Sequence, residues 1–295
     1  MDLEGGGSLA IVGLPFDGAV LGRKGCAGGP TGVREAFRWL GTDGMPAPLT
    51  LQWQDLGDVR VGGTVHQAHA AATDALTPIF AAHSAVVILG GDNSLSYATV
   101  AALANATNAK AGTIGLVVID AHYDLRSYVG EPTSGTPFRR ILEELPGAPV
   151  AAAHLVEVGI RPYANSAALA TFAHTKGITI IGRDLVRVMT PEALTSAVLE
   201  HMSGVQHIFL SVDIDAFDQS IASGCSAPSP DGLQLHEIIP LVAAIGRDSR
   251  TRGMEIMETA PNLDPTGNTC RTAAALVIHF VAATAERENT SDTNR

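Results

Sequence analysis

The chain has 295 residues, 46% hydrophobic and 17% charged, which excludes a disordered polypeptide and provides for a large buried core. Its formal net charge of -11 comes with no cluster of lysine or arginine, so a nucleic-acid partner is excluded for want of a phosphate-binding footprint. No apolar run approaches a membrane span, the first residues lack the pattern of a secretory signal, and three scattered cysteines, Cys26, Cys225 and Cys270, fit a reduced cytoplasmic protein.

In chain order, Leu9 to Leu14 reads as a first strand, and the Gly-rich loop through Gly22, Gly25, Gly28 and Gly29 leads to a helix that starts near Pro30 and continues over Gly32 to Leu40. Arg23 and Lys24 in that loop are either contacts for an anionic substrate or solvated charges. A loop around Gly44 to Pro48 precedes an edge strand from Leu51 to Leu56. Val65 to Ala82 is Ala-rich and helical by propensity. Its His66 and His69 have no evident carboxylate partner and read as surface residues. Ala85 to Leu89 is an apolar strand that ends in Gly90-Gly91-Asp92-Asn93-Ser94, before a helix from Leu95 to Ala106.

The densest chemistry follows. Gly115 to Ile119 is apolar without alternation, as a strand covered on both faces should be, and it stops at Asp120, with His122 and Asp124 after it. In extended backbone that spacing puts the three side chains on one side. Beyond lie Arg126, Ser134, a helix start at Pro137, and then Arg139 and Arg140. These cations beside an acidic cluster either grip a dicarboxylate substrate or balance the aspartates. His154 to Ile160 is a further strand with Arg161 at its end, Ala167 to Lys176 a helix stopped by Gly177, Ile178 to Ile181 a short strand, and Pro191 to Met202 a helix.

Ile208 to Val212 repeats the design, an apolar strand followed by Asp213, Asp215 and Asp218. A helix from Leu235 to Ile245, a last strand from Met254 to Met257 that delivers Glu258, a terminal helix from Thr269 to Ala285 and a polar, frayed tail from Glu286 complete the chain. Alternating strands and helices predict a three-layer α/β/α fold with a mainly parallel sheet, as one domain over residues 1–295, with ligands at the C-terminal ends of the strands. Carboxylates packed this closely repel one another, and a divalent cation lets them stay ionised. The donor set of Asp120, His122, Asp124, Asp213 and Asp215 is mostly oxygen with one imidazole and no thiolate, which suits Mn²⁺.

Asp-Ala-His-Tyr-Asp at 120–124, Ser-Val-Asp-Ile-Asp at 211–215 and Gly-Gly-Asp-Asn-Ser at 90–94 resemble the three signatures of the ureohydrolases, the arginase and agmatinase family. Asp-Leu-Arg at 124–126, Ser-Gly-Thr-Pro-Phe-Arg at 134–139 and Ala-Asn-Ser at 164–166 are similar to the formimidoylglutamase branch. The resemblance implies an arginase-like fold, a homo-oligomer, and hydrolysis of N-formimino-L-glutamate, a small acidic amidine from histidine breakdown, to L-glutamate and formamide. It implies two Mn²⁺ ions bridged by Asp120 and Asp213, with Asp124 completing one site and His122 with Asp215 the other. Glu258 faces the amidine-like group, and Arg126, Arg139, Arg161 and Ser134 are the candidate substrate contacts. In this family the first signature usually ends in a histidine ligand, and Asn93 in its place predicts a weak first metal site. The resemblance also admits a different ureohydrolase, acting on agmatine or a guanidino acid, and a metal-deficient binding homologue.

Overall fold

The computed structural model of the protein describes residues 9–41 and 53–292. Eight strands, β1 (Leu9–Gly13), β2 (Trp53–Asp58), β3 (Ala85–Leu89), β4 (Ile114–Ile119), β5 (Val150–Val158), β6 (Thr179–Ile181), β7 (His207–Asp213) and β8 (Thr251–Met257), form one sheet in the order β2-β1-β3-β8-β7-β4-β5-β6. Every pairing is parallel. β1, β3 and β4 are buried at every position, because side chains of successive residues leave a strand on opposite faces and both faces here are covered. Leu9, Ile11, Val87, Leu89, Val117, Ile119, Leu210 and Val212 pack on one face. Ala10, Val12, Val86, Ile88, Leu116, Val118 and Phe209 pack on the other. Each such side chain contributes on the order of 1.5–3 kcal/mol of burial free energy.

The helices cover these faces by their apolar stripes. α1 (Gly29–Phe37), α6 (Arg183–Val186), α7 (Pro191–His201), α8 (Leu235–Arg247) and α9 (Asn268–Asp292) lie against the first face through Val33, Val186, Val198, Leu241 and Leu276. The opposite layer is α2 (Val65–Ala82), α3 (Ser96–Thr107), α4 (Pro137–Glu144) and α5 (Ala167–Lys176), which contribute Leu76, Leu103, Phe138 and Ala173. This is the three-layer α/β/α architecture that the alternation predicts. No helix among the described residues is long and apolar enough to cross a membrane.

The differences from expectation have local causes. β5 starts at Val150 rather than His154, and β8 at Thr251 rather than Met254, because Val150 pairs with Ile114 of β4 and Thr251 with Ile208 of β7, each ahead of a register shift in the ladder. α9 continues through Glu286 to Asp292 instead of fraying there, and the Arg247 guanidinium reaches Glu286 on it. The one-turn α6 has no counterpart in the sequence pattern. The expected loop at Gly44 to Pro48, the first two residues of the predicted edge strand, and the tail beyond 292 lie outside the described residues. The rest of that strand, β2, does occupy a sheet edge.

Candidate metal centre

The sheet order puts the C-terminal ends of β3, β8, β7 and β4 side by side, so the polar segments that follow these strands converge although they are far apart in sequence. Asp120 still belongs to the ladder, its N–H donating to Val158 C=O. Its Oδ1 then accepts the N–H of His122 at 2.7 Å. Asp213 repeats the turn at the end of β7, where Oδ1 accepts the N–H of Asp215 at 2.8 Å. An aspartate that bonds the backbone two residues on is a local device for leaving an extended strand, and here it aims the next side chain back at the first. Asp124 is reached through a left-handed backbone, φ 47, a conformation that costs a non-glycine residue about 1–2 kcal/mol.

Two overlapping donor sets result, Asp120 with His122 and Asp215, and Asp120 with Asp124 and Asp213, each with its donor atoms within 4.8 Å of one another. His122 Nδ1 is 3.1 Å from Asp215 Oδ2 and 3.6 Å from Asp120 Oδ1. The electrostatics call for a cation. Burial, followed by the charges of neighbouring aspartates, pushes the Asp120 and Asp213 carboxyls well above their ordinary range. Burial raises Asp124 to about 6, with Asp215 adding to the rise and His122 and Asn93 opposing it. Burial would lower His122, but the negative charge of Asp215 and the bonds to Asp120 and Asp215 outweigh it and lift the ring to about 11. Buried Asp215 Oδ1 and Glu258 Oε2 have no hydrogen-bond partner, the condition expected of atoms placed for a ligand. An oxygen-rich set with one imidazole, crowded carboxyls and an orphaned ligand atom fits a pair of hard divalent cations.

Asn93 and Glu258 close the site from the β3 and β8 ends. The Asn93 side-chain amide donates to Asp124 Oδ2 at 2.7 Å and to Asp120 Oδ2 at 3.4 Å, and its Oδ1 accepts from Ser96 Oγ at 2.9 Å. The Asn93 N–H donates to Glu258 Oε1 at 2.8 Å. Glu258 is itself left-handed, φ 64, and burial with the nearby Asp92 charge raises its carboxyl well above the usual range. A cavity of about 230 Å³ opens over these groups, lined by His122, Asp124, Asp213, Asp215 and Glu258 below and by Leu21, Gly22, Arg126, Ser134, Gly135, Ser226 and Ala227 around the mouth.

The structure sorts the predicted residues. Arg126 and Ser134 line the cavity, and Ser134 Oγ accepts the N–H of Leu21 at 3.1 Å. Arg139 does not reach it; its guanidinium pairs with Glu143 one turn along α4 and lies 4.4 Å from the Phe172 ring centroid. Arg140, the next residue, points inward instead, donating to Glu144 and to His69 and stacking at 3.7 Å over Tyr97. Arg161 is buried behind the site, its guanidinium donating to Pro230 C=O and Asp215 C=O. Asp218 is a turn former whose carboxylate accepts from Ser220 N and Gly232 N, apart from both donor sets. His66 is exposed as expected, whereas His69 is buried and bonded to Ser94 Oγ. Asp92 faces away from the donor sets, its carboxylate accepting from Ala19 N and Ser94. Leu21, Gly22, Ser226 and Ala227 had not been foreseen. The signal for them was the Gly-rich loop, since a Cβ at Gly22 would stand 2.5 Å from Ser226 C=O and only glycine lets the two loops meet. The three thiols, all buried, form no disulfide.

Comparison with known proteins agrees with this geometry. The profile of the arginase family matches residues 7–283. A formimidoylglutamase of Halobacterium salinarum is 40% identical over 276 residues, covering 92% of this chain and 86% of that protein. The crystal structure of formimidoylglutamase from Bacillus subtilis superposes with a TM-score of 0.88 at 31% identity, over 97% of this chain and 89% of that one. A Trypanosoma cruzi formiminoglutamase determined with Mn²⁺ shares the fold, with a TM-score of 0.86 at 24% identity over 95% of this chain and 94% of that one. With the family profile and a 40% identical relative each spanning nearly all of it, the chain belongs to the arginase family.

Proposed function

We propose that the protein hydrolyses N-formimino-L-glutamate to L-glutamate and formamide with two Mn²⁺ ions. Asn93, Asp120, Asp124 and Asp213 would hold one, and Asp120, His122, Asp213 and Asp215 the other. The observation that carries this reading is the pairing of two donor sets sharing Asp120 with a cavity that presents, outside those sets, the unpartnered Glu258 Oε2 and one arginine, Arg126. Relatives at 40% and 31–33% identity are formimidoylglutamases, which supports the choice of substrate.

The substrate's formimino group is a cationic amidinium and its glutamyl part carries two carboxylates. Glu258 Oε1 is occupied by the Asn93 N–H, which leaves Oε2 to accept an amidinium N–H. Arg126, exposed at the mouth, is placed to pair bidentately with a carboxylate. Arg161 is better read as a brace, because it holds Asp215 by its carbonyl. Ser134 ties the Leu21 loop over the cavity. Bound cations supply a water made nucleophilic at neutral pH. The protein's own part would be to hold the amidinium against the Glu258 carboxylate, and that carboxylate is placed to take the proton the attacking water loses and pass it to the departing amine. Unpaired buried thiols support a reducing compartment.

The test is substrate choice. Mn²⁺-loaded protein is offered N-formimino-L-glutamate, agmatine, arginine and guanidinobutyrate, with formamide, glutamate and urea as readouts. Turnover of the first alone is expected; urea release from a guanidine compound with none from the first overturns the assignment.

A further inference from the structure

Where β4 ends, the chain must present His122 without the support of a strand. Asp120 N–H makes the last bond within the strand pairing of β4 and β5, and His122 N–H is held by Asp120 Oδ1. Ala121 C=O and Tyr123 N–H, on either side of His122, are satisfied from the loop that follows β5. Asn165 Nδ2 donates to Ala121 C=O at 2.9 Å, Asn165 Oδ1 accepts the N–H of Tyr123 at 3.1 Å, and Arg161 N–H adds a third bond, to Ala121 C=O at 3.1 Å. A primary amide has one donor and one acceptor edge in the same arrangement as a peptide group, so this single side chain replaces the missing strand partner at the two positions that flank His122.

Two features of the loop separate this role from ordinary turn chemistry. Asn165 immediately precedes Ser166, the N-cap of α5, yet its side chain makes only one long bond within its own loop, to Arg161 C=O at 3.5 Å, and otherwise reaches the 121–123 segment, while the N-cap has no side-chain capping bond. Tyr163 in the same loop is held left-handed, φ 65, with its side chain fully exposed. A strained residue that buries nothing is kept for the path it imposes, and that path delivers Asn165 to residues 121–123.

We propose that Asn165 is a positioning residue for the donor set of Asp120, His122 and Asp215. It clamps the backbone on both sides of His122, so that Nδ1 keeps its place beside Asp215 and Asp120, and one of the two cations depends on it. The inference rests on the reading of that set as a metal site. Groups that orient a ligand without touching the metal are worth about 10–100-fold in metal affinity.

The experiment titrates metal-stripped protein with Mn²⁺, reading bound metal by equilibrium dialysis and the coupled pair by its electron spin resonance signal, for wild type, Asn165→Ala and Ser166→Ala. His122→Ala marks which binding step belongs to its donor set. Asn165→Ala is expected to weaken that step about ten-fold or more and to leave the other step unchanged, with the melting temperature of the stripped protein lower by only about 2–4 °C for the main-chain bonds lost at residues 121–123, while Ser166→Ala changes none of them. Asn165→Ser, neutral and able to keep at most one of the two bonds, gives the same reading if the alanine variant does not fold. The proposal is overturned if neither step moves, or if both weaken together with a fall in metal-free melting temperature. Wild type that binds no Mn²⁺ overturns the metal reading, and this inference with it.

Discussion

Asn93→His tests the weakest part of the proposed centre. The Asn93 amide donates to Asp124 Oδ2 at 2.7 Å and accepts from Ser96 Oγ at 2.9 Å. For its oxygen to face a cation the amide must turn over. The Ser96 hydroxyl can follow that turn, since it both donates and accepts. The bond to the Asp124 carboxylate is lost, and a hydrogen bond to a charged group is worth roughly 1.5–3 kcal/mol. An imidazole offers its lone pair without that rearrangement and is the better ligand, so we expect the first Mn²⁺ to bind at least about ten-fold more tightly, at 1.4 kcal/mol per decade. Calorimetric titration of stripped wild type and variant measures the difference, with the second binding step as internal reference. An unchanged or weaker first step would refute the assignment of Asn93 to that ion.

Other consequences follow from the same geometry. Glu258→Gln keeps an acceptor for the Asn93 N–H but removes the charge offered to the amidinium, and a fall in kcat/KM of about 10²-fold with Mn²⁺ affinity retained is expected. Loss of metal from the variant would instead make Glu258 a structural prop. Burial pushes the Asp124 carboxyl up from its ordinary 3.8 to about 6. Its contribution to stability is therefore full below about 4 and lost as pH rises through 6, and the buried Asp92 and Glu255 carboxyls, raised to about 6 and 7, act in the same direction, so stripped protein should melt at lower temperature at pH 7.5 than at pH 5, and Mn²⁺, which needs the Asp124 carboxylate ionised, should narrow the difference. Asp264 behaves oppositely. Burial pushes it up, but bonds from Thr266 and Thr269 outweigh that and hold it at about 2, a contribution to stability present above pH 4 and lost as pH falls through 2. Asp264→Asn should lower the melting temperature at pH 7 and flatten the acid transition; equal acid sensitivity in variant and wild type would contradict it.

What could be read in the sequence was what local pattern determines. β4 and β7 are continuous apolar runs because both faces of the sheet are covered, and the abrupt change at Asp120 and Asp213 marks where the backbone leaves it. What could not be read was set by long-range packing. Nothing local places β8 between β3 and β7, the insertion that carries Glu258 to Asn93. On a helix one residue turns the side chain by about 100°, so adjacent Arg139 and Arg140 serve opposite surroundings and neither reaches the cavity. His69 was legible and misread. It falls on the same stripe as Val65, Ala72 and Leu76, the buried face of α2, and that periodicity outweighs the polarity of an imidazole. Asn165 stands out in the sequence only within the Ala-Asn-Ser segment, and its role is not legible there, since its partners at 121 and 123 are main-chain groups 44 and 42 residues away.

The most direct test of the account is formamide release from N-formimino-L-glutamate by stripped protein as Mn²⁺ is added back, with bound metal counted in the same samples. The account predicts negligible turnover without metal and a rise that is complete when two ions are bound per chain. Full turnover in the stripped protein, or none with both sites filled, would contradict it.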